Sequence, residues 1–261
     1  MTISIPNPRP AIGRIPMTSL RRTALVAGGL YLVTYISSIP AAFYFLTPVL
    51  EDPNYIIGAG ADTRVLWGLS LDVVNALAAI GTAIVLFPVV KRQHEAAALG
   101  FVAARVLEAA VITVGVVSLL AVITLRQDLG GPTAAEPDSL VPIGHALVAV
   151  RDWTFLLGPG LMAAINALLL GSLLYHSRLV PRVIPLLGLV GAPLLLASVT
   201  ATLFGLHGQL SPTAALAGLP IFFWELTLGL YLVLKGFRPS HITTSRPAGT
   251  SSATAHLTVD G

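Results

Sequence analysis

The chain has no cysteine, and only 10% of its 261 residues are charged. The first absence excludes disulfides, thiol nucleophiles and thiolate metal sites, and leaves the redox compartment open. The second excludes an ordinary soluble domain, in which roughly a quarter of the residues carry charge. Aromatic residues are also sparse, at 7%. The local signatures of catalysis and nucleotide binding are missing too. There is no Gly-x-Ser-x-Gly elbow, no phosphate-binding glycine loop and no dinucleotide fingerprint. Ser70 stands two residues before Asp72, so on a helix the two point to nearly opposite sides. No two histidines are spaced i, i+3 or i+4, as a helix-borne metal site needs. The sequence therefore indicates neither a metal nor a cofactor.

What is present is apolar length. Hydrophobic residues make up 55% of the chain, and the mean hydropathy is +0.83. The formal net charge is +3. In a soluble protein a basic balance would suggest nucleic acid. Here the basic residues sit between apolar segments, so they read as topology signals and contacts with anionic lipid headgroups, with no nucleic-acid partner. Ser19-Leu20-Arg21-Arg22-Thr23 faintly resembles a twin-arginine export signal. The apolar run after it is too long for a signal-peptide core, and further spans follow, so it reads as a retained first helix.

The expected fold is all-α, a polytopic membrane bundle of six transmembrane helices. The spans are placed at about 23–46, 64–90, 96–125, 153–175, 183–206 and 213–234. Residues 1–20 read as a disordered cytoplasmic arm and 238–261 as a disordered cytoplasmic tail, flanking a membrane domain over 21–237. The stretch 47–63 reads as loop with room for a short surface helix. Residues 140–150 read as the beginning of the fourth helix or an interfacial segment. Gly158-Pro159-Gly160 is expected to break the fourth span, and a kink is expected near Pro40. With both termini inside, the arm, the tail, the adjoining Arg21, Arg22 and Lys235, and the turns at Lys91-Arg92 and Arg178–Arg182 hold eleven of the fifteen basic residues. That asymmetry predicts a multi-pass membrane protein, N-in and C-in.

Glu95 to Leu125 is the stretch around which the rest is organised. It has no proline and is long enough to cross a ~30 Å hydrocarbon layer. Within it stand Arg105 and Glu108, three apart and so on one helix face. Glu108 lies ~18 Å into its helix, near mid-bilayer. Asn166 and Glu225 fall near the middle of their own spans. These four residues, from three helices, are expected in one or two neighbouring layers. An ionisable group in hydrocarbon costs at least ~2.5 kcal/mol, so they must face one another, protein or water.

In one reading this polar cluster only fixes helix register. In the other it lines a cavity that handles a small solute, ion or lipid, with Glu225 or Glu108 titrating and Arg105 as counter-charge. Asp72, Asn75, Arg151 and Asp152 are secondary polar positions. Asp72 is placed in the outer third of the bilayer and Arg151-Asp152 at the outer interface. The alternatives are a non-catalytic membrane subunit or sensor, and a lipid-modifying enzyme acting at the outer face through Asp72, His145 and His207. The expected partners are membrane lipids and a small solute or ion. The sequence does not decide oligomeric state.

Three segments carry a family likeness. Arg105–Ile112 resembles the Arg-x-x-Glu helix of the bacterial multi-pass family known as domain of unknown function 4386. Ser177–Gly191 resembles that family's basic turn, with its proline and following Gly-rich segment. Pro220–Phe237, with Glu225 and Leu234-Lys235-Gly236-Phe237, resembles its last helix. The likeness covers roughly Arg21 to Phe237 and implies a helical protein of six or seven spans. Arg105, Glu108 and Glu225 match its pattern, while the Ser/Thr-rich tail departs from it. It implies no activity and no catalytic residue.

Overall fold

The computed structural model describes residues 17–58, 60–128 and 137–244. The arm up to residue 16, residues 129–136 of the loop after the third span and the tail from residue 245 lie outside the described residues. Among the described residues there is helix and no strand. Helix α1 (Met17–Pro40) continues through a π-helical segment (Ala41–Phe45), and α2 (Thr47–Glu51) is short. Then come α3 (Asp62–Val90) and α4 (Glu95–Asp128). Helix α5 (Pro137–Phe155), a π-helical segment (Leu156–Met162) and α6 (Ala163–Ser177) follow without interruption. Helices α7 (Val183–Leu203), α8 (Pro212–Leu234) and the short α9 (His241–Thr244) complete the chain. Six helical stretches are long and apolar enough to cross a membrane. The fold is thus an all-α polytopic bundle.

Each crossing packs on the next, α1 on α3, α3 on α4, α4 on α5 and α6, α6 on α7 and α7 on α8. Helix α8 then returns to α1, so the six crossings close into a ring. Glycine makes that closure possible. A Cβ at Gly28 would lie 2.6 Å from the Gly229 carbonyl oxygen, so the two backbones touch at a distance only glycine allows. The turns at Lys91–His94 and Arg178–Arg182 lie at the end where α1 begins and α8 ends, here called the basal end. At the opposite, distal end the connections are longer. There α2 and the ends of α3, α4 and α5 enclose an apolar cluster that includes Leu46, Tyr55, Leu119 and Leu140. Helix α4 at 34 residues is ~51 Å long and overreaches a ~30 Å hydrocarbon layer. The outward faces of the crossings carry Leu77, Ile84, Leu99, Val117 and Val190, all exposed. In water such a surface would aggregate; against acyl chains it is already solvated.

Local chemistry sets the helix ends. Ser211 caps α8, accepting from the Ala214 amide at 3.2 Å, and Pro212 takes the first position, where a missing N–H costs nothing. At its other end Gly236 has φ +75. Arg21 donates there to the Leu232 and Val233 carbonyls at 3.0 and 2.7 Å, in the last turn, where helix carbonyls run out of intrahelical donors.

The fourth crossing differs from expectation in two ways. It starts at Pro137 rather than near residue 153, so the segment at 140–150 is its first part. Gly158-Pro159-Gly160 does not break it. Proline cannot donate to the helical ladder, and the chain widens into a π-helical segment and continues. The π-helical segment after Pro40 is the same response to the same cause. At the basal end the described chain runs past residue 237. The Arg238 amide donates to Leu179 O at 2.8 Å, the Ser240 hydroxyl to Ser177 O and the Arg92 guanidinium to Ile242 O at 3.4 Å. Ile242 is buried in the main core. Residues 238–244 therefore strap the two basal turns together.

Candidate functional site

Arg105 and Glu108 leave α4 on the same face because three residues are just under one turn. Arg105 is 3% exposed. Its Nη1 lies 3.0 Å from Glu108 Oε2, and its Nη2 lies 2.6 Å from Glu225 Oε1 on α8. Nη2 also stands 3.3 Å from the Tyr31 hydroxyl on α1. The Tyr31 and Phe101 rings flank the guanidinium, their centroids 5.3 and 6.0 Å from its carbon. Asn166 on α6 donates to Glu108 Oε2 at 2.6 Å. Four crossings thus contribute to one polar knot.

The knot is not saturated. Arg105 Nε and Asn166 Oδ1 are buried and have no hydrogen-bond partner. Glu108 and Glu225 each engage the knot through a single oxygen. One guanidinium faces two carboxylates, so the formal charge of the group is one negative. Burying an ion costs several kcal/mol unless partners replace its water. A cluster meant only to fix register would leave fewer of those partners unused.

A second buried pair lies distal to the first. Arg151 Nη2 stands 3.0 Å from Asp72 Oδ2, with the Phe155 ring 5.1 Å from the guanidinium carbon. Both side chains are buried. Arg151 is therefore buried within the bundle. Starting the fourth helix near residue 153 had put it at a helix end, whereas fourteen helical residues precede it. Asp152, next in the chain, is exposed.

The two pairs line one cavity of about 210 Å³, together with Asn75 and the backbone-widened stretches at Ala42-Phe43 and Pro159. Asn75 is half-buried there. Tyr35, Phe43, Phe155 and Phe222 form the aromatic part of the wall. The Tyr35 hydroxyl donates to Phe222 O at 2.5 Å, which holds α1 against α8 beside the cavity. A further cavity of about 420 Å³ shares Ala42, Phe43, Arg151 and Phe155 as a common wall and reaches Glu51, Asp152 and Gln209 at the distal end. Toward the basal end the space below Arg105 is filled by Leu86, Phe101, Leu170, Leu228 and Leu232.

Of the residues singled out in the sequence, the structure brings Arg105, Glu108, Asn166 and Glu225 into contact, and places Asp72, Asn75 and Arg151 on the same cavity. Asp152 does not line that cavity but the distal one. Asp72, His145 and His207 are not assembled. Asp72 is bound to Arg151, His145 donates to Pro53 O at 2.9 Å, and His207 lies near Thr202 and Ser211. Among the described residues no three His, Asp or Glu side chains come together as a metal site would require. Two participants escaped sequence reasoning. Tyr31 sits in an apolar helix with nothing local to mark it. The contact between Asp72 and Arg151 did have a signal, since Asp72 and the adjacent Arg151 and Asp152 are charges among apolar residues, but their assigned depths differ.

The chain belongs to the family described as Domain of unknown function (DUF4386), whose model matches residues 26–236. No curated protein and no solved structure matches it.

Proposed function

We propose that this DUF4386 protein handles a small solute or ion in the bacterial inner membrane, with the cavity between the two buried ion pairs as its binding compartment. The observation that carries the reading is the unsatisfied chemistry on the cavity wall. Of the residues that line it, Glu108 and Glu225 each keep one carboxylate oxygen, and Arg105 and Arg151 each keep Nε, without a hydrogen bond, where helix packing alone would favour apolar side chains. The π-helical segments at Ala41–Phe45 and Leu156–Met162 border the same space, and such segments are frequent at functional sites. The basic residues at the basal end support placing that end in the cytoplasm and the cavities toward the outside.

Cysteine accessibility tests this directly, because the chain has no cysteine of its own. Ser38→Cys and Asn75→Cys, on the cavity wall, should react with a charged, membrane-impermeant thiol reagent added from outside. Leu228→Cys, in the packed layer on the basal side, should not. If the cavity positions react no faster than Leu228→Cys, the compartment reading is wrong and the knot is structural.

A further inference from the structure

We infer that the compartment selects a small organic cation, a primary ammonium, over an anion or a hydrated inorganic ion. This rests on the compartment reading above and adds the chemical class of its occupant.

Charge decides the sign. The inner cavity holds Asp72, Glu108 and Glu225 against Arg105 and Arg151. The distal cavity adds Glu51 and Asp152 and no further cation. Five carboxylates therefore face two guanidiniums along the path, and an acidic funnel with low-dielectric walls concentrates cations. Each guanidinium is also already ion-paired, although Arg105 and Arg151 both keep an unpartnered Nε. Arg105 uses Nη1 on Glu108 and Nη2 on Glu225 and Tyr31, and Arg151 uses Nη2 on Asp72. An anion would meet guanidiniums whose charge three carboxylates already balance, and further carboxylates to repel it.

The unused groups decide the kind of cation. Glu108 is 6% exposed and reaches the cavity with Oε1 unbonded. Glu225 has Oε2 unbonded, and Asn75 lines the wall with its amide uncommitted. These are acceptors for N–H donors, set within one small space. Around them Tyr35, Phe43, Phe155 and Phe222 present ring surface, which attracts an alkylammonium but cannot replace the water shell of a metal ion. A volume of about 210 Å³ admits a head group with a short alkyl tail.

The test uses the full chain in lipid nanodiscs, with n-propylammonium chloride as probe. Sodium chloride and sodium propionate, the latter of matching size and opposite charge, are added at equal ionic strength. Propylammonium should slow modification of Ser38→Cys saturably and raise the thermal midpoint of the unmodified protein; sodium and propionate should do neither. Glu225→Gln should raise the half-saturating concentration about tenfold, the size expected for one lost charged contact. If Glu225→Gln does not fold, the exposed pair Glu51→Gln with Asp152→Asn should weaken protection severalfold instead. Protection by propionate, or equal protection by sodium alone, overturns the inference. So does normal labelling of Ser38→Cys with no effect of propylammonium, an outcome that leaves the compartment reading standing. Failure of Ser38→Cys to label at all removes both.

Discussion

Arg105 on α4 and Glu225 on α8 meet at 2.6 Å although 120 positions separate them in the chain. Their contact crosses the ring of helices and joins the third crossing to the last, which the adjacent packing of consecutive helices does not do. The stability of the bundle should accordingly depend on this one guanidinium more than on either carboxylate. Removing the charge that buried Glu108 and half-buried Glu225 share leaves both without a cation.

Arg105→Gln is expected to cost about 3–5 kcal/mol, the range for stranding a buried charge. Glu225→Gln should cost less, since Arg105 keeps Glu108. The triple change Arg105→Gln, Glu108→Gln and Glu225→Gln should recover part of the loss, because no charge is left unpaired. Chemical or thermal unfolding in detergent measures all three. A loss below about 1 kcal/mol for Arg105→Gln, a value typical of exposed pairs, would mean that the knot does not hold the bundle.

The Asp72–Arg151 pair allows a cleaner experiment, because each partner is hydrogen-bonded mainly to the other. In a double-mutant cycle with Asp72→Asn and Arg151→Gln, the coupling energy should fall at about 1–3 kcal/mol. Additive single effects would show that the contact contributes nothing of its own.

Neighbouring glycines supply an internal control. Gly28→Ala puts a methyl 2.6 Å from the Gly229 carbonyl and should destabilise by about 1–3 kcal/mol. Gly29→Ala adds a methyl where no atom lies within 4 Å, and removing a helical glycine there should leave stability unchanged or slightly raised. Equal losses at the two positions would place the α1–α8 contact elsewhere.

Orientation is open to a reporter test. With both ends cytoplasmic, green fluorescent protein fused after residue 261 should fluoresce, and alkaline phosphatase at the same point should be inactive. Phosphatase inserted at Asn54, in the distal connection, should be active. The reverse pattern would turn the bundle over and direct its cavities inward.

Much of the fold was legible because bilayer crossing is written in composition. A run of some twenty apolar residues has few alternatives to a transmembrane helix, and prolines and basic turns mark the joints between runs. Boundaries failed where polar residues enter a helix that continues beyond the hydrocarbon layer. Hydropathy dips at Arg151-Asp152, which leaves 140–150 either the start of the fourth helix or an interfacial segment by sequence; the helix begins at Pro137. Gly158-Pro159-Gly160 looked like a stop because local propensity does not show that a π-helical turn can absorb a proline.

For the site, the sequence by itself determined which residues had to find partners. Arg105, Glu108, Asn166, Glu225 and Asp72 lie in apolar helices, where an unpaired polar group is too costly to leave facing lipid. Only the tertiary structure decided who the partners are. It closed the ring through Gly28 and Gly229, brought Glu225 to Arg105, set Tyr31 beside them and paired Asp72 with Arg151. The physical reason is that depth along a helix follows from counting residues, whereas the direction a face points depends on how the helices pack around one another.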